Sequence, residues 1–271
     1  MSLTDRCAVV TGGAQGFGYA IARRLAEAGA YVVIADRNRE GADRAASKLA
    51  ALGYDVGAHE VDISDPASVE AMIETAASHT GRVDILVNNA GIFSNYFFSQ
   101  LPAEEFEATL RVNVSGTFHC TQATVKRMIA DGRGGSILNV ASVDAFKPSA
   151  EGLVHYTTSK HAIAGMTRSL AMELAPHQIR VNAVCPGASM TEGAIDLVTE
   201  GAPEGIDVEA QWDGIKDRTP LGRLCEPDDV ARAALYLVSN MAEFVTGAFL
   251  VVDGGILIQP LEGYISSPAP G

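Results

Sequence analysis

The strongest constraint on this chain is an alternation. Short apolar, β-branched-rich segments at 7–11, 31–36, 83–88, 135–141, 179–185 and 248–252, with a weaker one at 56–61, are separated by stretches of helical character. Those stretches run over 17–29, 39–52, 66–79, 103–130, 155–175 and 227–239. Strands that are apolar nearly throughout need cover on both faces, and the intervening helices supply it. Right-handed crossovers between successive strands then produce an α/β protein with a doubly wound, mainly parallel sheet and helices on both faces. Local signals agree: Ser64 or Asp65 is an N-cap ahead of Pro66, and a further helix starts at Pro227. No repeat or linker interrupts the pattern, so residues 1–271 read as one domain. The least regular stretch, about 188–222, reads as a lid, and about 260–271 as a loose tail.

Composition narrows the function. The 271 residues are 47% hydrophobic, which suits a substantial core, and carry a formal net charge of −13, which repels phosphate backbones. Nucleic acid is therefore not expected as a partner. No apolar run approaches the ~18 residues that cross a bilayer, so no membrane association is expected. The N-terminus has no basic segment followed by an apolar one, and the expected location is cytoplasmic. Cys7, Cys120, Cys185 and Cys225 are scattered without metal-ligand spacing; buried thiols and no metal site are expected.

The segment "VVTGGAQGFGYAIARRLAEAGA" passes from a strand through Gly12, Gly13, Gly16 and Gly18 into a helix. Glycine permits a tight turn and close approach of a ligand, and a helix N-terminus favours negative charge. Asp36, at the end of the next strand, can accept hydrogen bonds from an adenosine ribose and repel a 2′-phosphate, which favours NAD over NADP. Arg37 follows it and keeps the phosphorylated cofactor open. Asp62 is a further candidate for the adenine end. In "HYTTSK", Tyr156 and Lys160 share a helical face. A solvated helix edge, ordinary packing and a phenol tuned by an ammonium are the competing readings of that pair.

Taken in order, "TGGAQGFG" at 11–18, "NNAG" at 88–91, "RVNVSG" at 111–116, "NVAS" at 139–142, "YTTSK" at 156–160, "PG" at 186–187 and "VVDGG" at 251–255 resemble the short-chain dehydrogenase/reductase family over about residues 4–255. The resemblance implies a Rossmann-type, seven-stranded fold and a catalytic tetrad of Asn113, Ser142, Tyr156 and Lys160. Tyr156 would be the general base or acid, Lys160 would lower its pKa and hold the nicotinamide ribose, Ser142 would steady the substrate oxygen, and Asn113, in a long helix, would hold a relay water. A free phenol with pKa about 10 ionises too little at neutral pH, and a nearby ammonium favours its ionised form. The same resemblance implies cofactor contacts at Gly12, Gln15, Gly16, Phe17 and Gly18, at Asp36, Arg37, Asp62 and Ile63, at Asn89, Ala90 and Gly91, and at Pro186, Gly187 and Thr191. Three departures stand out. The 14-residue step from Ser142 to Tyr156 is slightly long, Phe17 replaces a smaller aliphatic residue, and Cys225 replaces a common glycine.

Aromatic and apolar residues gather where that family builds its pocket: Phe93, Tyr96, Phe97 and Phe98, then Phe146 and Leu153, then Met190 and Trp212. With Ser142 and Tyr156 they favour a small-molecule secondary alcohol or ketone bearing a hydrophobic ring or chain. His155 could touch substrate or be structural, and Glu151 or Glu192 could instead suit a hydroxylated or basic ligand. The expected function is an NAD-dependent alcohol dehydrogenase or ketone reductase. An NADPH-preferring carbonyl reductase and a non-catalytic dinucleotide-binding regulator are the alternatives. Apolar residues on more than one face of the helices at 103–130 and 155–175 (Val112, Val125, Met128, Ala162, Met166 and Leu170), together with the resemblance, point to a homodimer or homotetramer.

Overall fold

The computed structural model describes residues 1–195 and 208–259. Strands β1 (Cys7–Thr11), β2 (Tyr31–Asp36), β3 (Val56–Glu60), β4 (Ile85–Asn88), β5 (Gly135–Val140), β6 (Ile179–Pro186) and β7 (Phe249–Val252) form one sheet in the order β3-β2-β1-β4-β5-β6-β7. Every adjacent pair is parallel. Helices α1 (Gly16–Glu27), α2 (Arg39–Ala50), α3 (Pro66–Thr80), α4 (Ala103–Leu110), α5 (Thr117–Asp131), α6 (Val154–Leu174), α7 (Val208–Arg218) and α8 (Pro227–Val238) fill the connections.

The two-residue period of the strands sorts their side chains into two layers. Ala8, Val10, Val32 and Ile34 pack on Ile21 and Leu25 of α1, Leu49 of α2 and Leu237 of α8. Cys7, Val9, Val33 and Ala35 point the other way, onto Met72 of α3, Met128 of α5 and Leu174 of α6. Asp65 caps α3, accepting from the Ala67 amide at 3.0 Å. A bidentate pair from Arg24 to Asp228, 2.6 Å at each oxygen, ties α1 to the start of α8.

Two expectations are corrected. The single helix expected over 103–130 is α4 and α5 joined by a π-helical segment, Arg111–Gly116. A π turn shifts the hydrogen-bond ladder by one residue, and the Thr117 hydroxyl bonds the Asn113 carbonyl at 2.8 Å. Gly116 sits where a Cβ would lie 2.6 Å from the Ile63 side chain, so that turn packs tightly under the end of β3. The stretch 188–222 is also more regular than its Gly- and acid-rich sequence implied: a helical turn covers 192–195, and α7 places Trp212 and Ile215 on one face. The remainder of the expected lid (196–207) and the expected tail (260–271) lie outside the described residues.

The strand order reverses between β1 and β4, where the chain leaves in opposite directions across the sheet. In open α/β sheets the crevice at the carboxyl ends of such strands is where ligands bind.

Candidate active site

After β1 the chain turns through Gly12 (φ +62°) and Gly16 (φ +55°), backbone that L side chains rarely adopt. A Cβ on Gly12 would lie 2.8 Å from Ala90 Cα, and one on Gly18 only 2.1 Å from the Gly12 carbonyl oxygen. Asn89 locks this packing, its Nδ2 donating to the carbonyls of Thr11 at 3.0 Å and Gly12 at 2.9 Å. The N-terminus of α1 differs from those of α2 and α3: Gln15 makes no side-chain cap bond and the first turn holds no acid, whereas Asn38 and Asp65 cap the other two. Its amides and the positive end of its dipole are left for an anionic ligand. Asp36 is held at the end of β2 by the amides of Ala14 (3.1 Å) and Asn38 (2.9 Å).

These features border a cleft of about 410 Å³. Gly12, Gln15, Gly16 and Phe17 line it from the turn, and Asp36, Arg37, Asp62 and Ile63 from the ends of β2 and β3. Asn89, Ala90 and Gly91 line it beyond β4, and Thr191 closes it opposite the turn. Gly18 is absent from the lining and serves the packing beneath. Hydrogen bonds from the Ser64 hydroxyl and amide hold the Asp62 carboxyl below its usual range. Side-chain-free turn, uncapped helix end and strand-end carboxylate fit a dinucleotide.

A second cleft of about 310 Å³ opens from the first, sharing Phe17, Asn89, Gly91 and Thr191 with it. Ser142, Tyr156 and Lys160 face it with Pro186 and Gly187. Phe93, Leu153 and Trp212 supply apolar wall, the Phe93 ring tilted against Tyr156 with centroids 5.5 Å apart. Lys160 Nζ sits 5.3 Å from the centre of the Tyr156 ring and donates to the Val140 carbonyl at 2.9 Å. Asn113 lines neither cleft. It stands behind, 3% exposed, its Oδ1 accepting from the Ile92 amide and its Nδ2 donating to Ile92 O and Ser159 Oγ. Ser159 in turn donates to the Tyr156 carbonyl at 2.7 Å. The π turn thus ties the segment after β4 to the helix that carries Tyr156.

Burial dominates the electrostatics. It pulls the Lys160 ammonium down to about 8 and pushes the Tyr156 phenol up; the Ser142 hydroxyl opposes the latter, while Asp144 and Cys185 add to it. Lys160 lies beside the Tyr156 ring, and burial is the largest influence on both groups in the protein alone.

Other expected contacts fall elsewhere. Met190 is half exposed and Phe146 is exposed, stacking edge-on against Phe249; neither lines the clefts. Phe97 and Phe98 are exposed, and Tyr96 and Glu151 lie off both clefts. His155 is fully buried with Nε2 3.0 Å from Ser94 Oγ, a structural position, and burial lowers its pKa. Glu192 lines the cofactor-side cleft. Residue-type reasoning passed over Asp144, Ser149 and Ser189 in the catalytic cleft. Asp144 had a visible signal, a carboxylate within the apolar run "NVASVDAF". Among the described residues no cluster of His, Cys, Asp and Glu could hold a metal ion, and no helix is long and apolar enough to cross a membrane.

A family model described as enoyl-(acyl carrier protein) reductase matches residues 12–257. The chain belongs to the short-chain dehydrogenase/reductase family. It is 38% identical over 263 residues to an L-rhamnose 1-dehydrogenase (NAD(P)(+)) of Azotobacter vinelandii, covering 96% of this chain and 99% of that protein. It is 40% identical over 261 residues to a 3alpha-hydroxysteroid dehydrogenase of Mediterraneibacter gnavus, covering 94% and 98%. Among solved structures, a 3-ketoacyl-(acyl-carrier-protein) reductase from Brucella melitensis complexed with NADH superposes with a TM-score of 0.85 at 38% identity, over 94% of this chain and 99% of that one. As a member of this family the chain is an oxidoreductase of the NAD(P)-dependent dehydrogenase/reductase type. The relatives act on small molecules as different as a sugar and a steroid, so membership leaves the substrate open.

Proposed function

We propose that the protein interconverts a secondary alcohol and its ketone, with NAD as the preferred cofactor and a hydrophobic or ring-bearing substrate. The observation that carries this reading is the continuity of the two clefts, with Asp36 at one end and Tyr156, Lys160 and Ser142 at the other. Bound nicotinamide would accept the hydride, two electrons and the carbon-bound hydrogen. Tyr156 takes the hydroxyl proton in oxidation and returns it in reduction. Lys160 holds the nicotinamide ribose, and Ser142 bonds the substrate oxygen. Asn113 ties the Ile92 segment to α6 through Ser159, which helps to fix the backbone that carries Tyr156. Phe93, Leu153 and Trp212 support an apolar substrate.

Asp36 supports NAD, since a fixed carboxylate there repels a 2′-phosphate. Arg37 favours the second reading, an NADPH-preferring reductase: its cation lines the same cleft, near enough to Asp62 to help hold that carboxyl low. Titration with NADH and NADPH, followed by a panel of hydrophobic alcohols and ketones, tests both. Tight NADH binding with turnover supports the main reading, tight NADPH binding the second, and binding of neither refutes both.

The single-domain reading is supported by one continuous sheet. A homodimer or homotetramer is supported by Phe118 and Ile129 exposed on α5 and Met172 on α6, and light scattering that finds only monomer overturns it.

A further inference from the structure

The amino ends of β1, β4, β5 and β6 lie at the edge of the sheet opposite the two clefts, and a small polar cavity of about 140 Å³ opens there. Arg6, Arg133 and Arg180 line it together with Asp84, Ser136 and Asn240. Charge around it is out of balance. Among the described residues of the lining Asp84 is the one carboxylate, and it is shared: Arg6 pairs with it at 3.3 Å and Arg82, outside the cavity, at 2.7 Å. Arg180 is partly buried and donates to neutral carbonyls, those of Leu237 at 2.8 Å, Val245 at 3.2 Å and Ser239 at 3.3 Å. Burial and then the neighbouring Arg6 pull its pKa down, with Glu243 and Tyr236 opposing them. Arg133, just ahead of β5, is exposed and makes no ion pair or hydrogen bond among the described residues. Ser136 is 4% exposed, and its hydroxyl has no hydrogen-bond partner among them.

Structural duty explains part of this arrangement. Arg180 ties β6 to the end of α8, and Arg6 and Arg82 neutralise Asp84. It does not explain why an unpaired arginine, a partly buried guanidinium without a carboxylate and an idle serine hydroxyl border one space. A guanidinium taken from water without a counter-charge is costly, and an anion placed among several of them offsets that cost. Planar guanidinium forks match the oxygens of a phosphate-like ion. The cavity is far smaller than the ~300 Å³ at which pockets for organic ligands begin, so a nucleotide does not fit.

We propose that this cavity binds a small oxoanion of the phosphate class, held by Arg6, Arg133 and Arg180, and that the bound ion braces the amino edge of the sheet against the end of α8. The inference stands apart from the dehydrogenase reading, since none of these arginines lines either cleft.

Thermal unfolding tests it, with inorganic phosphate replacing sodium chloride at constant ionic strength and pH 7. A ligand that binds only the folded chain raises the melting temperature as its concentration rises. The wild type should show that rise, and it should saturate. Arg133→Gln, at an exposed position, should need about fivefold more phosphate for the same rise, the worth of one hydrogen bond. Asn240→Asp adds a carboxylate at the cavity, so it should melt higher than wild type without phosphate and bind phosphate about tenfold more weakly. Arginines that only held the strands together would leave the phosphate response of both variants intact. The glycine turn after β1 is a competing seat for phosphate, and saturating NADH fills it, so the response should persist with NADH present. A melting temperature unmoved by phosphate, equal responses in the wild type and both variants, or a response abolished by NADH overturns the proposal. Failure of the dehydrogenase reading looks different: the wild type would not bind NADH, and the comparison of variants would still decide the anion site.

Discussion

The two halves of the cleft are built by different means. The cofactor-side half is mostly backbone: a turn without side chains, an uncapped helix end, and Asp36 pinned by the amides of Ala14 and Asn38. The catalytic half is mostly buried side chains, in which Lys160, Asp144 and Asn113 are each held by partners from distant segments. Backbone geometry follows from short local patterns and costs little charge burial. A buried ammonium is costly, and its pKa depends on everything packed around it.

That contrast is broken most sharply at Tyr156. Tyr156→Phe should lose turnover by about 10³-fold or more while NADH binding stays within about twofold, because only proton transfer is removed. Steady-state rates and fluorescence titration check it, and near-normal rates would refute the mechanism. On the other side of the contrast, Gly18→Ala should weaken NADH binding by about tenfold or more and lower the melting temperature by several degrees. The added Cβ would fall 2.1 Å from a backbone oxygen that cannot move without opening the turn. Unchanged affinity would mean the turn is compliant.

Lys160 tests the cost of buried charge. Its folded pKa, about 8, lies below its ordinary 10.5, so between those values the unfolded chain binds more protons and stability rises with pH. Below pH 8 the full penalty, a few kcal/mol, is present. Lys160→Met, inactive, should therefore melt higher than wild type near pH 7, and that advantage should shrink as pH rises toward 10.5. Cofactor-free melting curves of the two proteins isolate the lysine from Cys185 and Tyr156, whose burial also shifts them. A pH-independent difference would contradict the assignment. The smallest effect is expected at Asp36: Asp36→Ala should narrow the NAD-to-NADP affinity ratio by about tenfold, one lost hydrogen bond and one lost repulsion. An unchanged ratio would shift the discrimination to Arg37.

Much of this was legible in the residues alone. The strand–helix alternation, the glycine turn and the four-residue step from Tyr156 to Lys160 are local patterns, and local patterns determine a parallel sheet, a phosphate-sized turn and a shared helix face. What they could not reveal were relations between segments far apart in the chain. The π turn that sets Asn113 against Ile92 and Ser159 depends on tight packing at Gly116. The helical character of 208–218 was obscured by its glycine and acids. Met190 and Phe146, sensible pocket residues by composition, point elsewhere because their backbone directions are set by the loops that carry them. Sequence by itself determined the fold and the family and marked out the candidate residues, since those follow from periodicity and short motifs. Only the tertiary structure decided how deeply Lys160 and Tyr156 are buried and which partners hold Asp144 and Asn113, because desolvation and hydrogen-bond partnership arise when β5, its following turn, α6 and β6 close on one another.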